Sequence, residues 1–192
     1  MIKKINTKTI KLIKFYSFIN YNLIYNNKAI NRYKKNTFEI SEDKARKLEK
    51  LKKSISIIKN CELKKNATNI VFSDGNPKAK IMLIGEAPGH DEDIEGKPFV
   101  GRSGKLLDKM LSAINLDREK VYIANIIPWR PPANRKPTEN EIEICLPLIH
   151  KHIELINPKV LLLLGSTSTY ALLKNKTPIT KIRGRWFTLN IN

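Results

Sequence analysis

The chain has 192 residues, 41% hydrophobic and 28% charged, which suits one domain with a single core and excludes disordered, collagenous and disulfide-stapled classes. No run of eighteen apolar residues occurs, and the nearest stretch, Leu12 to Tyr25, is broken by Lys14, Ser17, Asn20 and Asn22, so no membrane span is expected. The 36 basic residues against 18 acidic ones give a net charge of +18, which draws a chain toward polyanions, nucleic acid first. Abundant Lys, Asn and Ile throughout the chain account for part of that charge without any partner.

Lys3 and Lys4 precede a partly apolar stretch that is Asn-rich and has no small-residue cleavage site; the expected compartment is the cytoplasm. Two cysteines, Cys61 and Cys145, are too few for a disulfide framework and suit a reducing compartment.

In chain order, residues 1 to 60 hold 16 Lys and Arg against 4 Asp and Glu, a net +12, and read as a basic, partly helical extension. Residues 1 to 40 carry no clear period. Ser41, Glu42 and Asp43 suit a helix start, and Leu48, Leu51, Ile55 and Ile58 recur at helical spacing toward Asn60, predicting a helix that docks on a domain spanning 61 to 192. Lys80 to Gly85 reads as a buried strand, followed by a Pro/Gly/acidic loop and a helix with Leu106, Leu107, Met110, Leu111 and Ile114 on one face. Val121 to Ile127 is a second strand and Pro128 to Pro137 a loop. Thr138 and Glu141 form a capping box for a helix toward Ile156, with an irregularity at Pro147. Lys159 to Leu164 is a third strand, ended by Gly165, with Ser166 or Thr167 available to cap the next helix. Apolar strands alternating with helices predict a three-layer α/β/α fold with a mainly parallel central sheet.

Ligands of such sheets bind beyond the carboxyl ends of the strands, which selects the loops after Gly85, Ile127 and Gly165. The first, Gly85-Glu-Ala-Pro-Gly89 through Gly96 to Gly104, lacks both the Walker signature and the dinucleotide fingerprint. It offers a tight turn, carboxylates and Phe99, the parts of a pocket for a flat polar ring. Asn125 stands within an apolar strand, where a carboxamide is costly unless it is satisfied by a neighbouring loop or by a ligand edge.

These residues resemble the family 4 uracil-DNA glycosylases, from about Cys61 to Phe187. The matching pieces are Thr68 to Pro77, Gly85 to Gly89 with Gly96 to Gly104, and Tyr122 to Arg135; Leu163-Leu-Gly165 and Arg183 to Phe187 add weaker support. The resemblance implies DNA repair by base excision: a hydrolase that flips uracil out of DNA and cleaves its N-glycosidic bond. It implies that Glu86, Ala87, Pro88 and Gly89 shape the uracil pocket and approach the attacking water, that Phe99 stacks on the base, and that Asn125 reads its polar edge. Glu86, Glu92 and Asp93 are the carboxylates expected to orient water, Glu86 first. Ala87 stands where some relatives in other families carry a catalytic Asp or Asn. Arg102, Ser103, Arg130, Asn134 and Arg135 are the expected DNA contacts.

Two departures accompany the match. The family holds a [4Fe-4S] cluster on four cysteines, whereas here only Cys61 and Cys145 fall at ligand positions, with Ile58 and Trp129 at the other two. The reading is therefore a chain without cofactor or metal, resembling a cluster-less subgroup related to phage-type DNA polymerase N-terminal segments. Zinc on Cys145 with His150 or His152 lacks tetrahedral spacing and a fourth ligand. The superfamily also carries a further strand and a His-Pro motif that stabilises the departing uracil; no His-Pro occurs in the 192 residues. His150 and His152 are expected to face solvent, and His90 lies beside the pocket turn but off the family pattern. The expectation is a sheet without its last strand, and a monomer acting on uracil-containing DNA and not on membranes, with a separately encoded C-terminal fragment as one source of the motif. The alternative is a catalytically inactive or fragmentary DNA-binding remnant of the same fold.

Overall fold

The computed structural model describes residues 37–59 and 61–190. The arm expected over residues 1 to 40 lies outside the described residues up to residue 36. The chain divides between Glu39 and Ile40; the fold below is that of the part from Ile40, with the first turn of its opening helix.

Helix α1 spans Thr37–Ser56. It begins upstream of Ser41, whose Ser-Glu-Asp signature caps a helix only where the preceding chain is not already helical. Leu48, Leu51 and Ile55 are buried in the main core, as their spacing predicts. After α2 (Leu63–Asn66) come β1 (Asp74–Gly75), β2 (Ile81–Gly85), α3 (His90–Glu95), α4 (Arg102–Ser112), β3 (Tyr122–Asn125), a 3-10 turn (Pro132–Asn134), α5 (Glu139–Ile156), β4 (Val160–Leu163), α6 (Ser166–Leu173) and α7 (Ile179–Ile182).

The sheet has the order β1-β3-β2-β4, with β2 parallel to both β3 and β4, and β1 antiparallel to β3. Two-residue β1 carries no period, which is why the sequence does not reveal it. Period-two alternation sends Met82 and Ile84 of β2, with Tyr122 and Ala124 of β3, into one core beneath α1, α5 and α6. Leu83 and Ile123 face the opposite way, onto Leu107 and Leu111 of α4. Apolar side chains on both faces of parallel strands are what a sheet covered on both sides requires; the fold is the expected three-layer α/β/α. Among the described residues β4 pairs only with β2.

Three local expectations are corrected. In α4 the buried stripe is Gly104, Leu107 and Leu111, while Leu106 and Met110, and Ile114 just past the helix end, are exposed; five apolar residues span a wider arc than one contact surface covers. Helix α6 starts after Gly165 (φ 101°) without a side-chain cap, because glycine holds the N-cap position and Ser166 and Thr167 already lie inside the helix. His152 does not face solvent. It shares the buried face of α5 with Cys145, Ile149, Ile153 and Ile156, stacks on Phe72 at 4.5 Å between ring centroids, and its Nε2 lies 2.8 Å from the Tyr122 hydroxyl. The capping box of α5 forms as predicted: Thr138 Oγ1 accepts from Glu141 N–H at 3.2 Å and Glu141 Oε2 accepts from Thr138 N–H at 2.7 Å. The helix runs on through Pro147 to Ile156.

Candidate active site

Strands β2 and β3 end side by side, with Gly85 in register with Asn125. Pairing continues into the loops, since Ile126 N–H donates to Gly85 O and Ile127 N–H to Glu86 O, both at 3.0 Å. The Glu86-Ala87-Pro88-Gly89 turn is thereby held beside Asn125. Gly85 is required by what surrounds it: a Cβ there would lie 2.5 Å from Asn125 Oδ1 and 2.6 Å from Phe99 Cζ. The missing side chain lets the amide and the ring converge on one spot.

Around that spot opens a cleft of about 370 Å³. Of the residues expected at the site, Glu86, Ala87, Pro88, Gly89, Glu92, Phe99, Ser103, Asn125, Asn134 and Arg135 line it; Asp93, Arg102 and Arg130 do not. Pro131 and Leu164 also line it, apolar loop residues that no motif singled out. Asn125 is 7% exposed, and its Oδ1 is buried without a hydrogen-bond partner. A buried unpaired carbonyl oxygen is costly, and the residue that carries it lines the cleft.

The three acidic candidates differ in what already occupies them. Glu92 accepts three backbone N–H groups, from Gly89 at 3.1 Å, Val100 at 3.0 Å and Gly101 at 2.9 Å, tying the pocket turn to the segment after Phe99. Asp93, 3% exposed, accepts from the backbone of Thr68 at 2.9 Å and Asn69 at 3.1 Å. Burial alone would raise its pKa, but these donors hold the carboxyl below its ordinary value. Glu86 has a different partner, the Thr167 hydroxyl, which donates to its Oε2. Thr167 is the second residue of α6, directly after the loop that follows β4, so this bond joins the end of the third selected loop to the first. Its signal in the sequence was only that of a helix cap.

At the lip, Arg130 donates through Nε to Asn134 Oδ1 at 2.7 Å and through Nη1 to His90 Nδ1 at 3.0 Å. Arg135 forms a two-pronged pair with Glu141, at 2.8 and 2.6 Å. That pair is the first reason the Glu141 carboxyl is pulled down to about 2.

Cys61 and Cys145 are free and buried. Both lie in the core cluster that contains Trp129, and Ile58 packs against it. Burial first, then the neighbouring Cys61, pushes the Cys145 thiol up to about 12. Two thiols beside an indole and an isoleucine are not the donor set of a four-iron cluster, so the residues present do not fit that group. Among the described residues no group of three or more His, Cys, Asp or Glu could hold a metal ion, and no helix is long and apolar enough to cross a membrane.

The sequence profile of the uracil DNA glycosylase superfamily matches residues 72–190, the stretch that carries every lining residue of the cleft. The chain belongs to the uracil-DNA glycosylase superfamily. It is 46% identical over 143 residues to the type-4 uracil-DNA glycosylase of Sulfurisphaera tokodaii, covering 72% of this chain and 65% of that one. Identity to the type-4 uracil-DNA glycosylase of Saccharolobus solfataricus is 48% over 136 residues, or 68% of this chain and 63% of the relative. A DNA polymerase of Bacillus phage SP01 is 34% identical over 116 residues, 60% of this chain and 12% of that protein. The chain thus spans somewhat under two thirds of the length of the first two glycosylases it matches.

Proposed function

We propose that this chain is a DNA-repair glycosylase that extrudes 2′-deoxyuridine from DNA and hydrolyses its N-glycosidic bond, with neither an iron–sulfur cluster nor a metal ion. The observation that carries the reading is the unpartnered Asn125 Oδ1 at the wall of a cleft whose adjacent wall is Phe99. Uracil presents an N3–H donor beside its O4 acceptor, and a carboxamide matches both with Oδ1 and its NH2. Cytosine carries an acceptor at N3, which would face Oδ1 lone pair to lone pair; a buried amide rejects such a mismatch strongly.

In the reaction the C1′–N1 bond breaks and its electron pair stays with uracil, delocalised over N1, O2 and O4. An amide N–H at O4 stabilises that charge as it develops. Water adds to C1′ and its proton passes to Glu86, the carboxylate not already committed to backbone donors. Glu92 and Asp93 shape the pocket from behind. Exposed Arg102, with Ser103, Arg130 and Asn134, offers phosphate contacts along the lip, in line with the net +18; Arg135 holds the loop to α5 through Glu141.

Single-turnover release of uracil from an end-labelled oligonucleotide tests the proposal. Release by the native chain that falls by more than about a hundredfold in Asn125→Ala supports it. DNA binding without release would favour the inactive DNA-binding alternative.

A further inference from the structure

Outside the cleft, one guanidinium gathers more polar contacts than any other side chain described. Arg118, in the loop between α4 and β3, donates from Nε to Asp108 Oδ1 at 2.8 Å and from Nη1 to Asp74 Oδ2 at 2.7 Å. The same Nη1 donates to Pro98 O at 3.2 Å, and Nη2 donates to Phe99 O. Asp74 belongs to β1 and Asp108 to α4, so two fixed carboxylates aim the guanidinium and its remaining donors take two consecutive carbonyls.

Those carbonyls converge only because of the backbone at Phe99. In an extended chain successive carbonyls point to opposite sides. Phe99 adopts φ 57°, a left-handed conformation that a bulky residue rarely takes without support. A second support comes from α4, where a Cβ at Gly104 would fall 1.7 Å from Phe99 O. The carbonyl is wedged between a helix backbone and a cation, and the ring on the other side of the same residue lies against Gly85 beside Asn125.

We propose that Arg118 is a positioning residue for the base-reading pocket: it holds Phe99 in its left-handed turn and so sets the ring against which a flipped base stacks. This rests on the uracil reading for its consequence in catalysis, but not for its structural content. Arg118 itself does not line the cleft, which separates it from the residues that touch substrate.

The test has two arms on the full chain. In the first, NMR follows the Gly85 α-protons, one of which faces the Phe99 ring edge and feels its ring current. Arg118→Met is expected to move that resonance toward its value in Phe99→Leu while the amide signals of β2 and β3 stay folded. An unmoved resonance in folded Arg118→Met overturns the proposal. In the second, single-turnover uracil release at saturating enzyme is expected to fall about tenfold to a hundredfold in Arg118→Met. In a Phe99→Leu background the further loss is expected to stay under about twofold, because both changes act on one ring. Losses that multiply would show that Arg118 acts by another route and overturn the proposal. Arg118→Lys, whose ammonium cannot span two carboxylates and two carbonyls, is read in the same way if the Met variant does not fold. If neither folds, Asp108→Asn carries the test, and an unmoved Gly85 proton there refutes the proposal. Absence of release by the native chain would sink the uracil reading alone, since the NMR arm needs no substrate.

Discussion

Acidification between pH 7.5 and pH 5 is expected to destabilise the folded chain, and His152 is the main reason. The imidazole is 3% exposed between the Phe72 ring and the Tyr122 hydroxyl, with Tyr122 in turn 2.7 Å from Ser73 Oγ. Among the described residues no carboxylate joins this network. Burial therefore pushes its pKa from the ordinary 6.5 down to about 4. Above pH 6.5 the ring is neutral in both folded and unfolded chains and contributes nothing to pH dependence. Below it, the unfolded chain takes up a proton that the folded chain refuses, so stability falls with pH until the folded ring titrates near 4. Each pH unit between the two values is worth about 1.4 kcal/mol, or about 3 kcal/mol in all, of which about 2 kcal/mol is lost by pH 5.

Urea unfolding of the native chain and of His152→Gln at both pH values measures this. The window stops at pH 5 because the Glu141 carboxyl, held down to about 2 by Arg135, contributes stability that is present above its ordinary 4.5 and is lost only as pH falls through 4.5 toward 2. The comparison is a difference between two proteins, so repulsion among the surplus cations cancels, as does the contribution of His150. The native chain should lose about 2 kcal/mol more than His152→Gln over the interval. Parallel losses would mean that the ring is solvated or charged in the fold, and would refute its placement.

Thr167→Val removes the hydroxyl that orients Glu86 and should lower the single-turnover rate about tenfold with unchanged DNA affinity, while Thr167→Ser restores it; an equal loss of affinity would argue against a positioning role. Gly104→Ala places a methyl 1.7 Å from Phe99 O, so α4 or the Phe99 turn must shift. Thermal unfolding should show a loss of about 1–3 kcal/mol, together with slower uracil release; a neutral outcome would refute that close approach. Trp129→Ala empties a site that is 3% exposed and should cost about 3–5 kcal/mol in urea unfolding.

The strands were legible because a buried parallel strand is a short apolar run, and β2, β3 and β4 each have one. The candidate site stood out for the converse reason: Asn125 breaks such a run, and glycines and prolines crowd the loop after β2 where the chain must turn sharply. Harder to see were residues whose partner is distant in sequence. Thr167 lies 81 residues from Glu86, and its local context says helix cap. Arg118 sits in a loop of ordinary charged residues, and nothing near it shows that Phe99 will present a carbonyl. His152 had a local signal, since it falls in the 145, 149, 152, 156 stripe of α5, but a polar residue on an apolar stripe is read as exposed until a partner such as Tyr122 is known. The arc of α4 is narrower than its apolar residues suggest because spacing marks the face available for burial, and only the sheet decides how wide that contact is.

The position of Trp129 bears on how the pocket is held. It follows β3 by four residues and precedes the Arg130 to Arg135 stretch that forms the lip, so burying it fixes the base of the loop that carries Pro131, Asn134 and Arg135. A metal-bound thiolate at this point would anchor the loop by coordination; an indole packed in the core with Cys61 and Cys145 anchors it by excluded water and contact. The far end of the loop is held independently by Arg135 on Glu141. The loop is thus fixed at both ends by forces that need no ion, while Asn125, Phe99 and Glu86 are set by Gly85, Arg118 and Thr167 on other elements. Packing of Ile58 and Trp129 with the two buried thiols joins α5 to the base of the lip, while the contacts that orient the three residues proposed for base and water lie on other elements.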